Sequence, residues 1–257
     1  MRRALAASAL WALASRALAQ HGHIPPDPPQ TRVHEMPYDE MVEMMGMDDR
    51  KRFGKVMLDR LEWRDEGESV YEWEAAAWYG GDINKAWFTT EGDHADGSVG
   101  DARVELLWDR VLTAWWSTRV GMRKDFGEGS TRDWLAIGLA GLAPGFYELE
   151  AMAFVGDEGR MALRLSGERD LLITQRLVLR PEAELNFYGS DDAERLIGAG
   201  LSDLELGLRL RYELSRQFAP YLGLSWSKRL GESADLARAA GVDSDEVAWV
   251  AGIHAWY

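Results

Sequence analysis

Three of the five histidines in this 257-residue chain and five of its ten methionines stand between Gln20 and Met47. They are His21, His23 and His34, with Met36, Met41, Met44, Met45 and Met47, and the chain has no cysteine. A thioether is a soft, uncharged ligand that selects Cu(I) and keeps its affinity in an oxidising compartment, where thiolates would be lost. Imidazole accepts Cu(II) as well. The set therefore points to a copper ion, or silver, more than to zinc. A plainer reading makes Met41, Met44 and Met45 the apolar side of a short docked helix and leaves His21 and His23 solvated. Two further histidines are secondary metal candidates. His94 lies in Glu91-Gly-Asp-His-Ala-Asp96, read as an acidic outer loop in which a solvated histidine is the ordinary case. His254 stands beside Trp256 near the C-terminus, where a hydrogen-bonded structural role competes with a ligand role.

The residues that precede this cluster have the order of a secretory signal: Arg2 and Arg3, an apolar run from Ala4 to Ala14, then Ala17-Leu-Ala19. Residues 1–19 are accordingly assigned to a signal peptide and 20–54 to a Met-, His- and Pro-rich arm. Pro25, Pro26, Pro28, Pro29 and Pro37 favour extended, solvated backbone, which predicts a flexible periplasmic arm with one or two helical turns over Tyr38–Met45. No stretch approaches the about 18 uncharged apolar residues of a spanning helix, so any membrane crossing falls to strands.

From Lys55 the sequence breaks into short alternating runs separated by Gly, Asp and Asn, the pattern of antiparallel strands. Twelve are predicted, over 55–65, 69–80, 82–91, 101–110, 113–124, 132–141, 146–155, 160–173, 177–188, 201–213, 219–229 and 246–257. Within 160–188 a turn at Thr174-Gln-Arg176 competes with one at Gly167-Glu-Arg169. The connections tend to alternate between short ones, such as Gly80–Asp82 and Ala143–Gly145, and long ones at Gly92–Gly100, Gly189–Gly200 and Leu230–Asp245. In an outer-membrane barrel the short set is periplasmic and the long set extracellular, and an even strand number returns both termini to the periplasm.

Splitting the strands by parity separates their chemistry. One face carries Tyr71, Trp73 and Tyr79, then Val104, Leu106 and Trp108, then Leu204 to Tyr212 in steps of two. The other carries Glu72 and Glu74, Arg103 and Glu105, Arg180 to Glu184, and Asp203 to Glu213, a set read as close to balanced in sign. A soluble sandwich also alternates. The signal sequence, the 12 Trp and 8 Tyr gathering near strand ends, and the aromatic close of Val247-Ala-Trp-Val-Ala-Gly-Ile-His-Ala-Trp-Tyr257 favour an all-β fold instead: a transmembrane antiparallel β-barrel of about twelve strands over 55–257.

The net charge of −14 makes nonspecific nucleic-acid binding a poor expectation and attraction of cations a better one. Several blocks then carry a family resemblance: Trp78-Tyr-Gly-Gly-Asp-Ile-Asn-Lys-Ala-Trp87 running into Thr89-Thr-Glu-Gly92, Gly141-Leu-Ala-Pro144, Thr174-Gln-Arg-Leu-Val-Leu-Arg-Pro181, Gly207-Leu-Arg-Leu-Arg-Tyr-Glu213 and Phe218-Ala-Pro-Tyr221. Together they resemble the copper resistance protein B family. The resemblance implies a barrel in the outer membrane of a Gram-negative bacterium. It also implies a Met/His arm that binds copper ions and periplasmic partners such as a copper carrier or multicopper oxidase. The arm is short and its methionines form no long regular repeat. The expectation is a non-enzymatic monomer that captures copper and sequesters it or passes it on. An outer-membrane hydrolase would need a Ser and His pair on the bilayer face, and the chain has no Gly-x-Ser-x-Gly; a passive porin would give the arm no purpose.

Overall fold

The structure is a computed structural model that describes residues 37–46, 50–65, 69–95, 97–127 and 130–257. These belong to two units, Met1–Asp48 and Asp49–Tyr257. The signal segment 1–19 and most of the arm lie outside the described residues. In the first unit one helix, α1 (Tyr38–Met45), follows Pro37 and ends at Gly46. There a left-handed backbone (φ 64°) returns the Gly46 N–H to the Val42 carbonyl. Asp39 and Glu40 occupy the first turn, where the helix dipole favours negative charge. None of the helix's residues is buried.

The second unit contains β1 (Phe53–Asp65), β2 (Ser69–Gly80), β3 (Asn84–Ala95), β4 (Ser98–Val111), β5 (Trp116–Phe126), β6 (Arg132–Ala143), β7 (Tyr147–Gly156), β8 (Met161–Glu168), β9 (Leu171–Leu172), β10 (Leu177–Tyr188), β11 (Gly200–Tyr212), β12 (Phe218–Arg229), α2 (Gly231–Ala240) and β13 (Asp245–Trp256). Consecutive strands pair antiparallel, and β13 pairs with β1, which closes the sheet. β8 and β9 both pair with β10 and form one spanning strand interrupted at residues 169–170, so the barrel has twelve strands. No helix among the described residues is long and apolar enough to cross a membrane.

All twelve expected strands are present, and the competing turns within 160–188 are resolved. The chain reverses at Thr174–Arg176, where the Ile173 and Thr174 N–H groups donate to the Leu177 carbonyl and Thr174 Oγ1 accepts from Leu177 N–H at 2.9 Å. Two connections differ from expectation. Gly92–Gly100 is not a long loop: β3 runs to Ala95 and β4 starts at Ser98, with Gly97 in a left-handed turn (φ 81°). His94 is therefore a strand residue, opposite Tyr71 and Val99. Leu230–Asp245 holds the helix α2. Its Ala-rich sequence favours a helix, and Gly241 (φ 76°) ends it by donating to the Ala237 and Arg238 carbonyls.

The outward face is apolar: Leu106 (62% exposed), Met122 (66%), Leu135 (62%), Leu222 (66%) and Trp249 (66%) are open on the outer wall. In water such a continuous surface would be a large unsatisfied cost, and in a bilayer it is the solvated one. The inward face is charged at the waist, with one apolar cluster of Leu107, Trp134, Ala136, Met152 and Phe154.

Candidate functional site

The waist of the lumen is organised by a bulge in β1. The register against β2 shifts between Leu58 and Arg60, and against β13 between Leu58 and Leu61. One extra residue flips side-chain parity. Before the shift Met57 lies opposite Ala76. After it, Arg60 and Glu62 lie opposite Glu74 and Glu72 and face inward, while Leu61 and Trp63 turn outward.

Glu62, 1% exposed, accepts from Arg209 Nε (2.9 Å) and Nη2 (2.8 Å), from Tyr221 Oη (2.9 Å) and from Arg64 Nε (3.2 Å). Arg209 also pairs with Glu182, and Arg60 donates to Glu74 at 2.6 Å and Glu72 at 3.3 Å. Other pairs join neighbouring strands or cross the lumen, the latter being Arg103 with Glu184 and Arg164 with Glu105. Arg103 pairs with Glu91 and lies 3.6 Å from Glu184, and Arg164 is 3.0 Å from Glu105 and 3.2 Å from Glu150. Arg123 and Arg164 lie over the Phe154 ring at 4.7 and 5.4 Å. Charges withdrawn from water to this degree persist only when paired and hydrogen-bonded.

Two cavities flank this belt, and Glu91 and Arg103 line both. The outer one, about 440 Å³, is lined by seven acidic and seven basic residues. The inner one, about 820 Å³, is lined by thirteen Asp and Glu against ten Lys and Arg, so the sign balance expected of the lumen holds outside the belt and gives way to an acidic surplus inside it. His254 faces this inner cavity, as its parity predicts, with Nδ1 buried, without a hydrogen bond, and 3.7 Å from Asp59 Oδ1. Among the described residues no cluster of three His, Asp or Glu is spaced to hold a metal ion.

Of the arm's candidate ligands, His21, His23, His34, Met36 and Met47 lie outside the described residues. Met41, Met44 and Met45 are brought together by α1, where spacings of three and four residues put them on one face. Met44 is 61% and Met45 47% exposed. His94, on β3, joins neither group.

Sequence reasoning passed over two features. One is the β1 set of Asp59, Arg60, Glu62 and Arg64. Its signal is a change of phase in the charged positions, odd at Lys55 and Asp59 and even at Arg60, Glu62 and Arg64. The other is a cluster at the outer mouth around Arg132, Asp192, Glu194 and Arg195. Its partners come from separate connections and leave no periodic trace.

Residues 52–257 match the family model described as Copper resistance protein B precursor (CopB). The chain belongs to this family. It is 43% identical over 203 residues to the Copper resistance protein B of Escherichia coli, covering 79% of this chain and 69% of that one. It is 42% identical over 202 residues to the Copper resistance protein B homolog of Pseudomonas syringae pv. tomato, covering 78% and 69%. Among solved structures the NanC porin superposes with a TM-score of 0.53 at 17% identity, over 79% of this chain and 99% of the porin, a likeness of fold. Family and fold together make this a copper-resistance protein built as an outer-membrane β-barrel.

Proposed function

We propose that the protein captures copper at the periplasmic side of the outer membrane through the Met and His side chains of residues 20–54, with the barrel as a monomeric anchor. The observation that carries this reading is the exposed thioether face of α1. A helix that used this face for packing would bury it, whereas Met44 and Met45 are exposed and Met41 is half-buried. Thioethers bind Cu(I) by soft donation without charge, so an ion held by two or three of them exchanges readily onto a carrier with a stronger set. The mechanism is ligand exchange: the arm takes up the ion, His21, His23 and His34 widen its acceptance to Cu(II), and a periplasmic carrier or multicopper oxidase receives it. The acidic surplus of the inner cavity favours accumulation of cations there. Against a hydrolase, His254 faces the lumen, and among the described residues no serine is hydrogen-bonded to it.

A copper titration of the purified protein, whole and without residues 20–50, tests the assignment. The shortened protein keeps β1 complete, and its bound copper is expected to fall to background. Equal stoichiometry in the two would remove the arm from the mechanism.

A further inference from the structure

The connection between β10 and β11, residues 189–199, crosses the outer mouth of the barrel. In the ring of twelve strands β4 stands opposite β11 and β6 a quarter of the ring from β10, and the strap reaches both with its charged groups. Arg132, at the start of β6, donates to Asp192 through Nε (3.0 Å) and Nη2 (3.2 Å) and to Glu194 at 3.2 Å. Glu194 also accepts from Ser130 Oγ at 2.7 Å. Arg195 donates to Asp101 of β4 at 3.0 Å and to the Ser130 carbonyl at 3.2 Å. Asp192, Arg195, Leu196 and Ile197 thereby roof the outer cavity of about 440 Å³.

The near end is held differently. Ser233 of α2, 1% exposed, accepts from the Gly198 N–H at 2.7 Å and shares a 2.7 Å hydrogen bond with Ser202 of β11. A Cβ on residue 198 would come within 2.4 Å of the Ser233 nitrogen, so only glycine permits this approach. Two left-handed residues shape the same end: Gly200 at φ 95°, and Leu196 at φ 56°, a backbone a leucine keeps only while its surroundings impose it. Beside β11 the strap is thus fixed by buried, neutral hydrogen bonds, with one exposed bond from the Ala199 N–H to Asp191 at 2.7 Å. On the far side it is fixed by ion pairs, two of whose three carboxylates are open to water, Glu194 at 59% and Asp101 at 63%, while Asp192 is 13% exposed. Salt screens the second kind of contact and barely touches the first.

From this asymmetry we infer that residues 189–199 are an ionic lid. It is hinged beside α2 and latched across the mouth to β6 through Arg132 and to β4 through Arg195, and it closes the lumen to solutes from the cell exterior until the latch releases. The inference concerns the outer mouth and stands independently of where copper binds.

The absence of cysteine from the chain gives a direct test. Asn186, beneath the lid, is replaced (Asn186→Cys), and intact cells are treated with a sulfonated maleimide dye that cannot cross the outer membrane. With the latch intact, labelling should be slow and should accelerate as ionic strength rises from about 0.05 to about 0.5 M. Adding Arg132→Ala and Arg195→Ala should raise the low-salt rate about tenfold and remove the salt dependence. Asp243→Cys, on the exposed turn after α2, should label at one rate throughout. If the Asn186→Cys thiol reacts at the same rate with and without the latch, and at every salt concentration, the lid is refuted. Should the latch variant fail to insert, as a heat-dependent gel shift would reveal, the salt series on the intact latch decides alone.

Discussion

The waist of the barrel and the helix α1 use their chemical groups in opposite ways. Around Glu62 each charged group is held by another: Arg209, Arg64 and Tyr221 all point at one carboxylate, and Arg209 is engaged by Glu182 as well. On α1 three thioethers share a face and none of them is buried. A group already spent on a neighbour is a poor ligand, because binding must first break a pair in low dielectric. A group that supports no packing binds without penalty to the fold. Stability and copper binding should therefore be separable, and substitutions in either region can break that expectation.

The largest effect is expected at Glu62. Glu62→Ala would leave Arg209 charged, buried and short of its bidentate partner, with the Tyr221 hydroxyl unpaired beside it, a cost of about 3–5 kcal/mol. The midpoint of urea unfolding, followed by the heat-dependent gel shift, should fall accordingly, while copper stoichiometry per folded barrel stays the same. Replacing the pair together by apolar residues, Glu62→Leu with Arg209→Met, should recover much of the loss. A double variant as unstable as the single one would show that the network acts through more than the unpaired charge.

The converse experiment lies on α1. Met41, Met44 and Met45 changed together to Leu preserve helix propensity and bulk while removing the sulfur. The Cu(I) dissociation constant is expected to rise about tenfold or more, the equivalent of losing about 1.4 kcal/mol, with barrel stability unchanged within about 0.5 kcal/mol. A barrel that softens instead would mean that the methionine face packs after all.

How much of this was legible beforehand follows from the range of the physics involved. Strand alternation is local, so β2 to β7 and β10 to β13 could be read by parity, and the outward Leu206, Leu208 and Leu210 with the inward Arg209 and Arg211 lie where parity put them. β1 defeated the same method because a single inserted residue inverts its phase, and only a partner strand reveals a bulge. The helix α2 was readable from its alanines but was masked by flanking Gly, Ser and Asp. The latch of Arg132 and Arg195 joins residues about sixty to ninety positions apart (|i−j| 60 for Arg132 and Asp192, 94 for Arg195 and Asp101), which no local pattern records. For the copper ligands, the Met spacing on α1 was visible in sequence, but the exposure of Met44 and Met45 was not.

A smaller effect is expected at His254, the residue best placed to blur the division between regions. Its Nδ1 lies 3.7 Å from Asp59, beyond hydrogen-bonding distance, so His254→Gln should change stability by less than about 1 kcal/mol. Copper stoichiometry should not change. Loss of a bound equivalent would move part of the site into the lumen and end the separation.

The smallest effect concerns acid and the outer latch, where ion pairs resemble those of the waist but two of the carboxylates, Glu194 and Asp101, face water. Hydrogen bonds from the Ser130 side chain and backbone, followed by Arg132, hold the Glu194 carboxyl below the ordinary carboxylate range. A depressed pKa means that this contribution is complete above the unfolded value of about 4.3 and is lost only as pH falls through the still lower folded one. Glu232, on α2, is shifted the other way by its hydrogen bond to Asp191 and the charge of that neighbour. Its contribution is lost as pH rises through the raised value, so mild acid strengthens the near end of the strap. Arg132, Arg160 and Arg195, which face the strap's Asp192 and Asp101 on β4, stay charged throughout. Labelling of Asn186→Cys should therefore be flat, or slightly slower, between about pH 7 and about pH 5. Faster labelling in that interval would place the controlling proton on a group other than Glu194, and would make the mouth a pH-sensitive gate where the ion pairs predict a salt-sensitive one.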